Sequence, residues 1–325
     1  MSLRLSILDQ SPIPESCNAG DALRNSIDLA RLADGLGYTR YWVAEHHGTQ
    51  GLACTSPEAL IGPIASAKSR IRVGSGGVML PHYSPLKVAE TFSMLTGLYP
   101  GRIDLGIGRA AGTSPKVALA LQRDRRQAAP DDFREQLDEL MHYLANRTAY
   151  RIISPDLWLL GSSQDSAIWA AELGLPYAFA DFINPNGSGF ARYYRQAFSP
   201  SSLLSASRSA VAVWAICADT DEEAMRLSLS FRMMMTMLFR GRSIQVPAVE
   251  RARRFLEEER LAPEDVPVGR RIITGTPARV REAIEKLATE YETEEVLIVN
   301  IMHDHAARRT EETAGTGSRP GLRHH

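Results

Sequence analysis

The sequence predicts a (β/α)8 TIM barrel with inserted loops and helices. Three observations carry that prediction. Eight short apolar runs alternate with longer amphipathic stretches, which is the order of a closed parallel barrel. Most of those runs lack polar alternation, as strands covered on both faces do. The 325 residues equal a barrel of about 250 residues plus extras. An open doubly wound sheet would place a glycine-rich turn after its first strand. Here that strand runs into Leu8-Asp9-Gln10-Ser11-Pro12, without glycine.

In chain order, strands are expected at residues 3–9, 39–45, 71–80, 102–108, 156–160, 176–180, 210–218 and 295–301, rich in Val, Ile, Leu and aromatics. The first helix, 21–36, repeats apolar residues at Leu23, Ile27, Ala30 and Leu36, and Gly37 suits its C′ position. Ser56-Pro57 and Ser84-Pro85 each place a capping hydroxyl before a proline at the first helical position. Thr220 and Glu223 fit a capping box opening a helix over 221–240, and Thr276-Pro277 opens another to about residue 290. A helical segment at 246–260 adds bulk before the last strand. Two connections are long enough to be lids or binding loops. One is 110–130, with Arg123, Arg125 and Arg126. The other is 181–208, rich in Ser, Asn, Gly and Pro, with an aromatic patch at Phe190, Tyr193, Tyr194 and Phe198. A single barrel domain is expected over 1–305, followed by a polar, aperiodic, disordered tail at 306–325.

Composition narrows the function. Lys plus Arg number 37 against 38 Asp plus Glu, a net charge of −1, so no global field attracts nucleic acid or an anionic membrane. No apolar run approaches the ~20 residues that span a bilayer, and the first residues do not read as a secretion signal. Cys17, Cys54 and Cys217 are odd in number and form no CxxC. That pattern fits a reducing cytoplasm and argues against a disulfide framework or zinc cage.

Catalytic groups of a parallel barrel occupy the carboxyl ends of its strands. The second strand ends in Glu45-His46-His47. Neighbouring strand residues point to opposite faces, which disfavours one metal shared by both histidines. Acid–base chemistry at the mouth and capping of loop carbonyls both remain open. Gly74, Gly76 and Gly77 interrupt the third strand. They suit either close approach of a flat ligand or a barrel bulge. The fourth strand ends Gly106-Ile107-Gly108-Arg109, where the guanidinium could hold a phosphate bidentately. Through Gly112 this stretch imitates a dinucleotide fingerprint with one residue too many. Gly161-Ser162-Ser163 leads into a helix, as an anion site or a plain serine cap. Neither a GxxxxGK[ST] loop nor GxSxG occurs. His303-Asp304-His305 reads as a solvated strand end, Cys54 as incidental, and Met233-Met234-Met235-Thr236-Met237 as core, a dimer face or an adaptable apolar lining.

Glu45-His46-His47, the segment from Arg70 through Pro81, the segment from Gly101 through Arg109, Leu159-Leu160-Gly161-Ser162-Ser163 and the segment from Glu172 through Ala180 occur in this order. Together they resemble the bacterial-luciferase-like flavin monooxygenases. The likeness runs from about residue 3 to 304. It is strongest to the group opening Leu8-Asp9-Gln10-Ser11-Pro12, which includes oxygenases of natural-product pathways. The resemblance implies reduced FMN (FMNH2) at the strand carboxyl ends, with O2 as co-substrate. A flavin C4a-hydroperoxide would then oxygenate an organic small molecule. It implies a cis peptide at Gly76–Gly77 beside the flavin, phosphate contacts from Arg109, Ser162, Ser163 and Arg123, and a catalytic role for His46 with its neighbour Glu45. It further implies a homodimer supplied by a separate NAD(P)H:flavin reductase.

Gly108 occupies the position of the luciferase reactive cysteine, and Gln164-Asp165 replaces the commoner Gly-Tyr pair of the phosphate turn. Little apolar character remains in 308–317 for the further helix that the group often carries. A deazaflavin-dependent oxidoreductase and a non-catalytic flavin-binding accessory protein are the alternative readings.

Overall fold

The computed structural model describes residues 3–67, 69–109, 114–122, 131–146, 148 and 152–315. Eight parallel strands close a barrel: β1 (Arg4–Asp9), β2 (Arg40–Val43), β3 (Arg72–Met79), β4 (Ile103–Gly108), β5 (Asp156–Gly161), β6 (Tyr177–Ala180), β7 (Ser209–Cys217) and β9 (Glu295–Val299). Each lies within two residues of its expected bounds. The seam is made by β1 and β9, paired from Arg4↔Glu295 to Ile7↔Ile298. A ninth strand, β8 (Ile272–Gly275), pairs with Trp214 to Cys217 of β7, beyond the register that β9 occupies. Sequence reading missed β8, because its short apolar core follows two arginines.

Helices α1 (Ala19–Leu36), α2 (Pro57–Ala67), α3 (Pro85–Leu98), α5 (Phe133–Ala145), α6 (Gln164–Glu172) and α10 (Pro277–Glu290) follow the strands. Asn18 and Asp21 form a reciprocal capping box on α1, and Gly37 closes it in the left-handed conformation with φ 85°. On α8 (Asp221–Phe239) the box is half made. Thr220 Oγ1 accepts the Glu223 N–H at 3.1 Å, but the Glu223 carboxylate turns to Arg226. The extra helix before β8 is α9 (Val249–Glu258).

Three expectations need correction. Residues 110–130 contain a short helix, α4 (Pro115–Leu121). The 181–208 connection folds around α7 (Ser188–Gln196), whose Tyr194 is fully buried and donates its hydroxyl to the Leu175 carbonyl at 2.7 Å. The expected disordered tail begins instead with α11 (His305–Gly315). Its Arg308 is buried and pairs with buried Asp9 at 2.8 Å. That pairing holds Asp9 below the usual carboxylate range despite its burial.

Alternation along the strands builds two apolar layers. Ile7, Tyr41, Val43 and Leu105 pack outward with helical residues such as Leu29, Ile61 and Phe92. Leu8, Trp42, Trp158, Ala212 and Leu297 fill the barrel. Below them, near the strand N-termini, Arg40 Nη1 meets Asp104 at 2.7 Å and Arg40 Nε meets Glu295 at 2.5 Å, all three side chains buried. Trp42 Nε1 donates to the same Asp104 at 2.9 Å. The polar floor leaves the cavity at the carboxyl ends.

Candidate active site

A cavity of about 230 Å³ opens at the carboxyl ends of the strands. It brings together Glu45, His46, Gly76, Gly77, Arg109, Ser162 and Ser163. Arg123 lies outside the described residues.

Glu45, His46 and His47, just beyond the end of β2, diverge. Glu45 is buried, and its carboxylate is fully engaged: His47 Nε2 lies 2.7 Å from Oε1, the Tyr83 hydroxyl donates to Oε1 at 2.8 Å, and the Met79 N–H donates to Oε2 at 3.0 Å. Glu45 therefore joins the end of β2 to the end of β3 and the short 3-10 turn after it. His46 faces the cavity, and its buried Nδ1 lacks a hydrogen-bond partner among the described residues. Burial, reinforced by nearby His47, pulls the His46 imidazole down to about 4. The ring is consequently neutral at physiological pH.

Gly76 and Gly77 are joined by a cis peptide bond. Both line the cavity, and the β3–β4 register shifts between Gly76 and Val78. A side chain at Gly77 would place Cβ 2.7 Å from the Gly106 carbonyl oxygen, and one at Gly76 would strike Leu8 and Trp42. The glycines thus admit both a close strand pair and a flat, uncluttered cavity wall.

The lining also carries a cation. Arg109 follows β4, with its guanidinium 5.2 Å from the Trp169 ring centroid and 3.4 Å from the Asp165 carboxylate. Ser163 caps α6, its hydroxyl accepting the Ser166 N–H at 3.4 Å. The Ser162 carbonyl accepts from Asn184 Nδ2 at 2.9 Å. Helix dipole, guanidinium and serines converge as an anion-binding end requires. An apolar cleft lined by a guanidinium, by serines at a helix N-terminus and by a ring nitrogen unpartnered among the described residues has the chemistry to accept a flavin mononucleotide.

Sequence reading missed several lining residues, among them Gln10, Met79, Trp169, Phe182 and Ile183. Gln10 directly follows β1 and Phe182 lies two residues beyond β6, so position at strand ends was the available signal. A second chamber of about 280 Å³ adjoins the first and shares Gln10, His46, Phe182 and Ile183 with it. Met234 and Met235 of the methionine run line it, realising the adaptable-lining reading.

Other candidates fall away from the cavity. The strand expected to end at His303-Asp304-His305 stops at Val299, and His305 starts α11 with Nε2 2.8 Å from Asp28. Cys54 is buried, and burial pushes its thiol up to about 12. No group of three metal-ligating side chains occurs among the described residues.

Comparison with known proteins gives the family and the fold. A family model described as "Luciferase-like monooxygenase" matches residues 3–292. The chain is 39% identical to the N-acetyl-S-alkylcysteine monooxygenase of Bacillus subtilis strain 168, covering 91% of this chain and 92% of that one. Its fold superposes on apo-MsnO8 with a TM-score of 0.90 and 39% identity, covering 97% and 98% of the two chains. The FMN complex of the oxygenating constituent of 3,6-diketocamphane monooxygenase from Pseudomonas putida shares the fold at TM-score 0.72 and 20% identity, with 97% and 96% covered.

Proposed function

The chain belongs to the luciferase-like monooxygenase family, and on that premise we propose that it is a reduced-FMN-dependent monooxygenase of an organic small molecule. One observation carries the reading: a single cavity is lined by Arg109, Ser162 and Ser163 together with His46, Gly76 and Gly77. Bound reduced FMN supplies the two electrons that activate O2, so that one oxygen atom passes to the substrate and the other leaves as water.

The residues of the chain divide the remaining work. Arg109 binds the phosphate in place of Asp165, assisted by the N-terminus of α6 and the two serines. Gly76 and Gly77 give the ring system a wall without side chains. His46, being neutral, offers one ring nitrogen as acceptor and the other as donor beside the reacting edge. Glu45 is a positioning residue, because both of its oxygens are occupied. The apolar walls at Trp42, Phe179 and Phe182 exclude water from the chemistry.

We also place the enzyme in the cytoplasm as a homodimer fed by a separate NAD(P)H:flavin reductase. Three free cysteines support the compartment, and the family likeness supports the dimer and the reductase. No helix among the described residues is long and apolar enough to cross a membrane.

Anaerobic titration with reduced FMN and reduced riboflavin tests the reading. Arg109→Ala should weaken FMN by about 10–100-fold, the worth of one or two charged hydrogen bonds, and leave riboflavin unchanged. Equal losses for both would remove Arg109 from the phosphate. Tighter binding of a reduced deazaflavin than of reduced FMN would favour hydride transfer instead.

A further inference from the structure

We propose that the second chamber is the substrate site and that it takes an organic anion, an apolar body bearing a carboxylate held by Arg242 and Arg270. This rests on reading the first cavity as the flavin site. The shared wall of Gln10, His46, Phe182 and Ile183 then brings a molecule in the second chamber to the reacting edge.

Charge decides the class of molecule. None of the residues lining the chamber is acidic, and Arg242 and Arg270 are its two cations. Neither guanidinium has an ion pair among the described residues, in contrast to close neighbours in the sequence. Arg240 pairs with Glu259 at 2.9 Å, and Arg271 pairs with Glu290 at 2.7 Å and Asp181 at 3.3 Å. The chamber therefore keeps two unneutralised cations against an apolar lining. Arg242 is exposed and Arg270 half-buried, so an anion entering there gains charge-assisted hydrogen bonds in a solvent-screened setting.

The geometry favours both parts of such a ligand. Arg270 lies over the Phe239 ring, 5.6 Å from its centroid, a contact that orients the guanidinium. Arg242 follows Gly241, whose φ of 74° turns the chain at the end of α8, and the Arg242 N–H is fixed on the Met237 carbonyl at 2.9 Å. Leu52, Trp214, Met234, Met235, Ile244 and Ile301 provide the apolar surface, and the methionines let it adapt to different chains or rings. Trp214 is 4% exposed, and its Nε1–H has no acceptor among the described residues, leaving a further donor for an oxygen of the ligand.

The test uses flavin-free protein and the intrinsic tryptophan fluorescence to which Trp214 contributes. Octanoate and 4-phenylbutyrate are each titrated against their neutral amides. Each carboxylate should bind at least about 10-fold more tightly than its amide, equivalent to one charged hydrogen bond. The double variant R242Q/R270Q should abolish that preference and leave amide affinity unchanged. R240Q, whose arginine is paired outside the chamber, should keep it, and so should R109A, which removes the phosphate end. Circular dichroism checks that each variant is folded. Equal binding of acid and amide, absence of saturable carboxylate binding, or a preference lost in R109A rather than in R242Q/R270Q would overturn the proposal. Because no flavin is present, that failure is separate from failure of the FMN–riboflavin comparison.

Discussion

Replacing His46 with glutamine should flatten the pH dependence of stability in the flavin-free protein. Burial and the neighbouring His47 pull the imidazole from 6.5 to about 4 in the folded chain. Below pH 6.5 the unfolded chain therefore binds a proton that the folded chain refuses until about pH 4. The unfolded state binds more protons throughout that window, so folding stability rises with pH across it and falls on acidification. Full titration corresponds to about 3 kcal/mol, and the loss between pH 7 and pH 5 to about 2 kcal/mol. Both are upper values, because the ring borders a cavity open to solvent. Urea unfolding of wild type and His46→Gln at pH 7, 6 and 5 isolates the effect, since packing losses in the variant do not change with pH. The stability advantage of wild type over the variant should shrink by up to about 2 kcal/mol on going to pH 5. Parallel curves, or an NMR titration placing His46 near 6.5, would refute the reasoning.

Arg308→Met should cost about 3–5 kcal/mol in urea unfolding, because it leaves the buried Asp9 carboxylate without its cation; a loss under about 1 kcal/mol would mean that α11 does not brace the barrel. Asp165→Asn should tighten reduced FMN by about 2–5-fold and leave riboflavin unchanged, since an exposed carboxylate competing for Arg109 costs only a fraction of a kcal/mol; weaker FMN binding would assign Asp165 a supporting role instead. Cys54 should resist disulfide reagents at pH 8 until urea unfolds the chain, given a thiol pushed up to about 12; rapid modification of Cys54 in the native protein would contradict its burial.

The barrel was legible because its eight strands are buried on both faces and so appear as unbroken apolar runs. The elements that escaped carry a different signature. β8 offers only Ile272 and Ile273 between Arg271 and Thr274, too little for a pattern of either period. Helix α7 was hidden in a Ser-, Asn- and Gly-rich stretch whose aromatic patch is partly core, with Tyr194 fully buried. Helix α11 was read as tail because its anchor, Arg308, is a charge, and pattern reading assigns charges to solvent. Its partner Asp9 lies 299 positions away. The site shows the same division. His46, Arg109, Ser162 and Ser163 were found because each lies within three residues after a strand, and Gly76 and Gly77 because glycines interrupt the apolar run of β3. The engagement of Glu45 by Tyr83 and Met79, and the adjoining chamber with two arginines that have no ion pair among the described residues, depend on residues brought together from distant segments. No spacing rule in one dimension encodes them.

The seam between β1 and β9 has a consequence for biosynthesis. Arg4 to Ile7 pair with residues 295 to 298, Ser6 bonds Glu295 at 2.6 Å, and Arg308 reaches back to Asp9. β1 therefore gains its second strand neighbour only once residues 295–298 have been made. Until residues 295–298 have emerged β1 presents an unpaired edge, and until Arg308 follows Asp9 lacks its cation, the kind of incompletely docked surface on which chaperones act. Closure of the barrel thus follows synthesis of β9, and a chain lacking α11 should keep its strands but leave Asp9 without its cation.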